Sequence, residues 1–474
     1  MTRRAALYCV VLVYSFILVF PLAQVLVAEG AKQLATHTVV AASGGAAPAG
    51  GSYMTFFRVA LNMRSQIVFD ASLGGPSTTG VFVTDRRTTS TIALGGNPDP
   101  AAANFAVVGS PFITSHGDVV FDANFGDTFR HDGRVTAPLV RNGDAAPGGG
   151  TVTPLSHSTN ARGAIAYQAQ VNGAVATIGV FRTDGANAVA IVRDDSVPET
   201  GGTFTAFRDP AVNTRGEVAF VAEMTGGAAD FAILRGDGVD LTPVFVANQI
   251  APGGATFQDF SDPLINKHGQ VAAVGLLTNG AAGLFVGDGR DAVAIALDGQ
   301  AAPGGGNYSG CCAAPLTLND RGEVAFHSGL TGVTSNRGIF RGNGHETTVV
   351  ALTRTNAPGT TGTFFSFGDI KLENDGRVAF IATLTPGIGG VDLSNNRGIW
   401  VGTSEADLQL VVRTGQVIDG KVLTRLPAAF GQFEMNEHGI VWIGSFAPRA
   451  TAVVFSRIGG RDEDIEDRDL NDRQ

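Results

Sequence analysis

The chain alternates short apolar runs with glycine-rich turns, and one version of this pattern recurs. Asn213-Thr-Arg-Gly-Glu-Val-Ala-Phe220 returns as Asn319-Asp-Arg-Gly-Glu-Val-Ala-Phe326. An Asn three residues before a Gly, followed by an alternating apolar run, is typical of a β-hairpin. The Asn side chain bonds the backbone of the tight turn, and the Gly takes the left-handed conformation that closes it. Val218 and Phe220 would then face one side of the new strand, and Ala219 the other.

Weaker copies of this turn fill most of the sequence at a nearly regular spacing. The turn Gly or its equivalent falls at Ser65, Gly117, Gly163, Gly216, Gly269, Gly322, Gly376 and Gly439. The three central intervals are 53 residues each (216 − 163, 269 − 216, 322 − 269), whereas the interval before Gly163 is 46 and the one before Gly439 is 63. Eight copies at this spacing predict a repeat architecture.

Each copy contains four strand-like segments. In the fourth copy these are Thr203–Phe207, 217–222, 231–234 and 241–247. An Asp-Gly or Asn-Gly dipeptide, the preferred pair for a two-residue hairpin, often separates the third segment from the fourth. Four antiparallel strands per unit are the pattern of a propeller blade.

The two ends of the repeat region complement each other. The last copy stops after a third segment at 451–456, while residues 38–42 resemble a fourth strand and precede the first full copy. An N-terminal strand that completes the last blade would remove an open sheet edge. We therefore predict an all-β fold, a β-propeller of eight four-stranded blades closed by an N-terminal strand. A β-solenoid is the alternative, but its coils are usually shorter and would not explain the split repeat.

The N-terminus predicts export. Arg3 and Arg4 precede an apolar run over residues 5–28, which is the pattern of a secretory signal. The run also approaches the roughly 20 residues that span a bilayer, so a cleaved signal peptide and a retained signal-anchor helix both remain open. Either places the rest of the chain outside the cytoplasm. The predicted organisation is a signal peptide or signal-anchor helix at 1–30, a linker at 31–37, the propeller at 38–458 and a disordered acidic tail at 459–474.

Composition and motifs narrow the function classes. The chain has 64 Gly, 20 Pro and 16% charged residues, a turn-rich rather than a disordered composition. Its formal net charge of −10 gives no support to a nucleic-acid partner. Cys9, Cys311 and Cys312 form neither a disulfide framework nor a spaced metal pair, although the adjacent pair could be a disulfide or two buried apolar side chains. No nucleotide, zinc or hydrolase fingerprint stands in a usable context. We expect no metal, no cofactor and a monomer.

The repeat resembles that of the bacterial exported tandem-repeat proteins with the NxxGxxAF motif, the choice-of-anchor repeat proteins. Asn160, Asn213 and Asn319 begin the best matches, while Thr114 and Glu373 replace the Asn in two copies and Ser65 replaces the Gly in another. The resemblance implies a secreted or surface-attached repeat protein. It implies no reaction and no catalytic residues, and any membrane contact would be through the N-terminal helix alone.

Two sets of residues at repeated positions could carry chemistry. Asp209, Asp262 and Asp369 each lie four residues before the motif Asn position. The first strand of each blade lines the channel of a propeller, so these carboxylates would suit a cation or acid–base work. Capping of strand ends before Pro210 and Pro263 is the simpler interpretation.

The second set is basic. The third position of the repeat turn is basic in all copies except the seventh, which has Asp375. These residues are Arg64, His116, Arg162, Arg215, His268, Arg321 and His438. Plain solvated turns, with Arg215 and Arg321 neutralised by Glu217 and Glu323, are the simpler interpretation.

The leading hypothesis is an exported, non-enzymatic β-propeller that serves as a binding or scaffold module, with an anionic extracellular glycan or a surface protein as its partner. Such binding should weaken with salt and strengthen on acidification, because three of the seven basic residues are His. The alternative is an extracellular polysaccharide hydrolase or lyase that uses Asp209, Asp262 and Asp369. The tripeptide Arg235-Gly-Asp237 spells an adhesion motif, but it lies at a repeated hairpin turn whose chemistry explains it.

Overall fold

A computed structural model of the chain describes residues 35–100, 104–312, 315–427 and 431–459. Within these ranges every regular element is a β-strand, and the strands form eight antiparallel sheets of four to six strands. The sheets correspond to the eight sequence copies, so the all-β fold and the eight blades are confirmed. We number the blades 1 to 8 in the order of their turn residues, from Ser65 to Gly439.

The first three blades each contain four consecutive strands. Those of blade 1 are Ser52–Leu61, Ile67–Gly74, Thr79–Thr84 and Thr89–Leu94. Those of blade 2 are Val108–Ile113, Val119–Ala123, Asp127–His131 and Thr136–Val140. Those of blade 3 are Thr151–Thr159, Ile165–Asn172, Ile178–Thr183 and Ala188–Arg193.

In blades 4 to 6 the first strand is interrupted, so its two pieces are given separately. Blade 4 contains Thr203–Phe207, Ala211–Val212, Val218–Thr225, Phe231–Gly236 and Leu241–Val246. Blade 5 contains Phe257–Phe260, Leu264–Ile265, Val271–Leu277, Ala282–Gly287 and Ala292–Leu297. Blade 6 contains Asn307–Ser309, Thr317–Leu318, Val324–Thr331, Arg337–Gly342 and Thr347–Leu352.

The last two blades complete the ring. Blade 7 contains Phe364–Leu372, Val378–Leu384, Arg397–Gly402 and Gln409–Arg413. Blade 8 contains Lys421–Arg425, Phe433–Asn436, Gly439–Phe446, Ala450–Ile458 and the N-terminal strand Ala35–Ala42, and the short strand Val417–Ile418 pairs with Lys421–Arg425. First strands of neighbouring blades contact one another around most of the ring, which makes them the innermost strands.

The motif turn forms as the sequence predicts. In blade 4 the N–H of Gly216 donates to the carbonyl of Asn213, and Gly216 has a φ of +84°. The Asn213 Oδ1 accepts the N–H groups of Arg215 and Glu217, both at 3.0 Å. Glycine is needed here for a second reason, since a Cβ would lie 1.9 Å from Nη1 of Arg182 in blade 3. Side chain and backbone therefore fix the turn together.

The core is divided into eight apolar clusters, one between each pair of neighbouring blades. Val218 and Phe220 pack toward blade 3, while Ala219 packs toward blade 5. The strand alternation thus buries both faces of each sheet, one against each neighbour. Because the cluster between blades 8 and 1 is as complete as the others, the ring has no apolar gap.

The N-terminal strand closes the ring in the predicted register. Val39 pairs antiparallel with Val454, and Ala42 with Ala452, so Ala35–Ala42 is the outer strand of blade 8. The strand begins at Ala35, three residues before the predicted start of the propeller at Thr38. Hydrogen bonding of residues 35–37 to the last strand accounts for the extension. The signal or signal-anchor segment 1–30, linker residues 31–34 and tail residues 460–474 lie outside the described residues. No helix long and apolar enough to cross a membrane occurs in the part of the chain that the structure describes.

Candidate functional site

The motif Asn side chains connect the blades to one another. The Asn Oδ1 is used within its own turn, and the Nδ2 donates to the carbonyl of the equivalent residue in the next blade at 2.7 to 3.1 Å. The donor–acceptor pairs are Asn62 to Thr114, Asn160 to Asn213, Asn213 to Asn266, Asn266 to Asn319, Asn319 to Glu373 and Asn436 to Asn62. These bonds place the motif turns side by side at one end of the ring, around the innermost strands.

Two positions in this belt of hydrogen bonds lack the Asn. In blade 2, Thr114 keeps its own turn by accepting the N–H of Asp118, and the link to blade 3 passes through Ser115, whose N–H and Oγ donate to the carbonyl of Ala161. In blade 7, Glu373 has a pKa raised to about 7, chiefly by burial and then by the nearby Asp375. The Asn link is therefore replaced only on the far side of these two blades, by Ser115 after blade 2 and by Arg377, whose Nη2 donates to the carbonyl of Glu437, after blade 7.

The seven basic residues of the motif turns lie on this belt, and we call them the basic collar. All seven are exposed to solvent: Arg64, His116, Arg162, Arg215, His268, Arg321 and His438. Arg64 reaches the neighbouring turn, where its Nη1 donates to the carbonyl of His116 at 3.4 Å. Among the described residues, no hydrogen bond or ion pair involves the guanidinium groups of Arg162, Arg215 and Arg321. Their charges are thus available to a ligand.

The glutamates that follow the turn Gly contact residues other than the collar arginines. Glu217 accepts from Nδ2 of Asn213 at 2.7 Å and pairs with Arg235 at 3.7 Å. Glu323 contacts Asn319 and Arg341 in the same manner. Both carboxylates therefore serve the turn and the third strand of their own blade. Among the described residues, neither carboxylate forms an ion pair with Arg215 or Arg321.

The end of the ring that carries the basic collar, which we call its mouth, also has acidic residues, and these have partners of their own. Asp320 pairs with Lys267 at 3.2 Å, and Asp375 pairs with Arg377 at 2.6 Å. Glu437 lies 3.3 Å from the imidazole of His438, so that histidine is the one collar member beside a carboxylate described in the structure. Among the described residues, the collar arginines of blades 1, 3, 4 and 6 are therefore the collar members without a carboxylate partner that carry a full positive charge.

The three aspartates predicted to line the channel fall into two groups. Asp209 and Asp262 are exposed on blades 4 and 5, and burial together with the charge of Asp209 raises the pKa of Asp262. Asp369, on blade 7, is half-buried, and its pKa is raised by burial while Lys371 opposes the shift. Lys371 is in turn bound to Glu434 at 2.5 Å. Asp209 and Asp262 are therefore close enough to interact, whereas Asp369 belongs to a separate cluster with Lys371 and Glu434.

The Arg-Gly-Asp tripeptide is occupied by structural contacts. Arg235 donates to the carbonyl of Gly269 in the next blade, and Asp237 Oδ1 accepts the N–H groups of Val239 and Asp240 within its hairpin. Neither charged group is presented freely. Cys311 and Cys312 are buried in the cluster between blades 5 and 6, and their sulfur atoms are joined as a disulfide.

One cavity was not predicted from the sequence. It has a volume of about 530 Å³ and lies beside blade 2, at the end of the second strands that is remote from the motif turns. Asp70, Ser110, Asp122, Ser156 and His157 are its polar lining residues of interest. The sequence signal that points to it is the short interval of 46 residues between Gly117 and Gly163. We call this cavity the blade-2 pocket. Within the described ranges, no group of three or more His, Cys, Asp or Glu is arranged to hold a metal ion.

Most of the propeller matches a known family model. Residues 130–451, well over half of the chain, match the family of unknown function DUF7453. The chain belongs to this family. The matched residues run from the third strand of blade 2 to the start of the last strand of blade 8. Comparison with curated proteins gives no match.

Solved structures resemble the chain in fold only. They include a puromycin hydrolase S511A mutant in complex with PGG, at 11% identity and a TM-score of 0.42, covering 83% of this chain and 58% of that one. The β-propeller domain of the Trilobed protease from Pyrococcus furiosus has 9% identity and a TM-score of 0.41, with coverages of 76% and 98%. The WD40 domain of SCAP from fission yeast has 8% identity and a TM-score of 0.43, with coverages of 90% and 99%. The chain thus spans little more than half the length of the hydrolase.

Proposed function

We propose that this protein is an exported, non-enzymatic β-propeller that binds an anionic extracellular polymer, such as an acidic polysaccharide, at the mouth ringed by the basic collar. The observation that carries the proposal is the placement of Arg64, Arg162, Arg215 and Arg321. All four are exposed on one belt, and none is paired with a described carboxylate. The motif turns are held to the preceding blade by other arginines, in the third strands. Arg182 and Arg235, for example, donate to the carbonyls of Gly216 and Gly269 in the next blade.

The electrostatics favour an anionic partner despite the overall charge. The formal net charge of the chain is −10, which by itself repels polyanions. Like charges gathered around one mouth nevertheless create a local field that raises the concentration of an oppositely charged ligand there. A field of this kind is screened within about 10 Å at 0.1 M salt, so binding depends on ionic strength. A polymer with repeated negative charges can contact several arginines at once.

Export rests on the N-terminal segment and on the NxxGxxAF resemblance. The Arg3-Arg4 pair before the apolar run supports it. Expression of the full sequence in a bacterial host, followed by N-terminal sequencing, is the test. A mature start near Glu29 means secretion, and an intact N-terminus in the membrane fraction means a signal-anchor. Recovery from the soluble cytoplasm would overturn the proposed location.

The binding proposal is tested with polygalacturonate as the probe. The collar variant changes Arg64, Arg162, Arg215 and Arg321 to Gln. The matched control changes four exposed arginines outside the motif turns to Gln: Arg87, Arg134, Arg290 and Arg425. Both variants have a formal net charge of −14, since −10 − 4 = −14. We expect the wild type and the control variant to bind, and the collar variant to lose at least about tenfold in affinity, the loss of ~1.4 kcal/mol. Equal loss in the two variants, or no binding by the wild type, would overturn the assignment to this mouth.

An enzyme that uses the predicted carboxylates has less support. Asp209 and Asp262 lie close enough to influence each other, whereas Asp369 interacts with Lys371 and Glu434. A hydrolase or lyase needs its acid and base at the same scissile bond. The binding function therefore accounts for more of the arrangement than a reaction at these three residues does.

A further inference from the structure

Blade 2 is shorter than its neighbours, and the shortening opens the blade-2 pocket. Its second and third strands are Val119–Ala123 and Asp127–His131, five residues each, whereas those of blade 3 are Ile165–Asn172 and Ile178–Thr183, with eight and six. The hairpin between the two strands of blade 2 is the tight segment 124–126, in which Asn124 and Phe125 both have positive φ angles of 54° and 60°. Blades 1 and 3 therefore extend past blade 2 at this end, and the space left over is a cavity of about 530 Å³.

Two carboxylates line the pocket at one repeated strand position. Asp70 and Asp122 lie five residues after the turn residues Ser65 and Gly117. The other six blades have no acidic residue there: the equivalent residues are Gln168, Val221, Val274, His327, Ile381 and Gly444. Withdrawing a carboxylate from water costs free energy, and such departures from the local pattern are expected at functional sites. Burial raises the pKa of both Asp70 and Asp122 above the usual range of aspartate.

The partners of these carboxylates hold them at the pocket surface. Asp70 accepts the N–H of Arg58 at 2.7 Å and that of Ser110 at 3.2 Å. Asp122 lies 3.4 Å from Nε2 of His157 and accepts the hydroxyl of Thr128 at 3.3 Å. Ser110 lies between the two aspartates, with a φ of +52° that a serine rarely adopts. Each carboxylate is therefore held by one group of its own blade and one of the next blade, with oxygen lone pairs left for a ligand.

Two further observations point to a ligand. The hydroxyl of Ser156 lines the pocket, is shielded from solvent, and has no hydrogen-bond partner in the described part of the chain. A buried polar group is normally paired, so this hydroxyl lacks a partner that a ligand could supply. Three apolar side chains of the pocket lining are at the same time exposed: Phe57 at 45%, Leu155 at 52% and Phe125 at 92%. An almost fully exposed phenylalanine in a strained tight turn contributes little to the core.

We propose that the blade-2 pocket binds a neutral, hydroxyl-rich ligand, namely a sugar residue at the end of a glycan chain. Sugar hydroxyls donate to carboxylates and serine hydroxyls, and the C–H face of a pyranose packs on apolar and aromatic side chains. Both kinds of surface are present here, in a volume within the range of about 300 to 1,000 Å³ typical of small-molecule sites. A simple inorganic cation would leave the apolar walls unused. This site is separate from the basic collar, which lies at the opposite end of the strands.

The test uses neutral monosaccharides as probes: glucose, galactose, mannose and N-acetylglucosamine, measured by saturation-transfer NMR and titration. We expect at least one to bind the wild type. Asp122→Val, which installs the residue type of the equivalent strand position in blade 4, should reduce that affinity at least about tenfold, because a charge-assisted hydrogen bond is lost. The melting temperature should change little, since the Asp122 side chain is 36% exposed and blade 4 accepts a valine at the equivalent position. Gln168→Val is the matched control, because Gln168 occupies the same strand position in blade 3 and does not line the pocket.

Phe125→Ala is a second variant of the pocket. It should leave the core intact, since the Phe125 side chain is 92% exposed. It should weaken sugar binding severalfold and leave the melting temperature unchanged. Polygalacturonate binding at the basic collar should be the same in both variants, which separates failure here from failure of the proposed function. Absence of binding by every sugar, unchanged affinity in Asp122→Val and Phe125→Ala, or preferential binding of an organic amine such as choline would each overturn the proposal.

Discussion

Blades 4 to 6 and blades 1 and 2 use the same repeat in different ways. In blades 4 to 6 the turn residues are 53 residues apart, and every motif Asn donates to the next blade. In blades 1 and 2, Ser65 and Thr114 replace motif residues, a hairpin is shortened, and two carboxylates enter the strands. The regular sector shows which residues maintain the ring. Blades 1 and 2, the irregular sector, show where side chains do not maintain the ring. The blade-2 pocket lies in this sector.

The third position of the motif turn neither maintains the ring nor depends on an irregular blade. Its side chain makes no hydrogen bond or ion pair with the described residues in blades 4 to 6, yet the residue is basic at seven of eight positions. A solvent-exposed position that the fold does not constrain would be expected to vary in charge. The basic collar is thus a candidate site within the regular sector, whereas the blade-2 pocket is one created by irregularity.

The largest expected effect comes from opening the ring, on which both sectors depend. Deleting residues 1–47 removes the outer strand of blade 8 together with the segment before it. The last blade then has an unpaired edge and its cluster with blade 1 loses Ala41. We expect the loss to be comparable with the whole stability of a domain, about 5 to 15 kcal/mol, so that cooperative unfolding disappears. Deleting only residues 1–34 is the control for thermal denaturation. Equal melting curves for the two truncations would contradict closure by this strand.

Breaking one link of the regular sector should cost less. Asn213→Ala removes the bond to the carbonyl of Asn266 and leaves the N–H groups of Arg215 and Glu217 without their acceptor. Each buried polar group left unpaired costs about 1 to 3 kcal/mol, so we expect a destabilisation of roughly 3 kcal/mol by denaturant titration. Thr214→Ala, one residue away in the same turn, should change the stability by less than about 0.5 kcal/mol. A small effect of Asn213→Ala would mean that the belt does not stabilise the ring.

Blade 7 allows a pH-dependent version of the same test. The pKa of Glu373 is raised to about 7 in the folded protein, from the usual 4.5. Between these values the unfolded chain releases its proton first, so this residue lowers the stability of the fold as the pH rises from 4.5 to 7. Glu373→Gln should therefore raise the melting temperature at pH 8, with the gain disappearing at pH 4. Glu373→Asn should add a pH-independent gain if its Nδ2 reaches the next blade as Asn319 does. A gain for Gln that does not change with pH would exclude the charge as its cause.

The smallest change repairs the belt in the irregular sector. Thr114→Asn restores the motif and should give a side-chain donor to the carbonyl of Asn160, in the geometry seen from Asn160 to Asn213. One additional hydrogen bond is expected to stabilise by about 1 kcal/mol. Differential scanning calorimetry of the variant and the wild type is the measurement. A lower melting temperature would show that the backbone of blade 2 departs from the regular geometry at the turn as well as at the hairpin.

The architecture could be predicted from the sequence because the same turn residues recur in most copies of the repeat. The Asn and Gly of the motif predict the hairpin, their spacing predicts eight blades, and the incomplete last copy predicts the partner of residues 38–42. The role of the Asn Nδ2 could not be predicted, because its acceptor lies 53 residues away and its position depends on how the blades pack. The partners of Glu217 were missed for the same reason, since Arg235 becomes its neighbour only through strand pairing.

The blade-2 pocket was missed because the cavity results from the shorter strands and hairpin of blade 2, not from a motif. The 46-residue interval and the charged positions 70 and 122 were visible in the sequence, but nothing in the pattern said on which face of the ring the missing length would open. For the basic collar the residues were visible and so was their common end of the propeller. That the four arginines of the collar form no ion pair with a described carboxylate became clear only with the partners of the neighbouring carboxylates in place.

The most direct test of the central claim is the salt dependence of polygalacturonate binding to the wild type and to the variant with Gln at 64, 162, 215 and 321. If the arginines of the basic collar bind the polymer, the affinity of the wild type should fall about tenfold or more between about 0.05 M and 0.5 M NaCl, because screening shortens the reach of the collar charges. The variant should bind weakly at both salt concentrations and show little dependence on salt. Identical affinities and identical salt dependence in the two proteins would contradict the account.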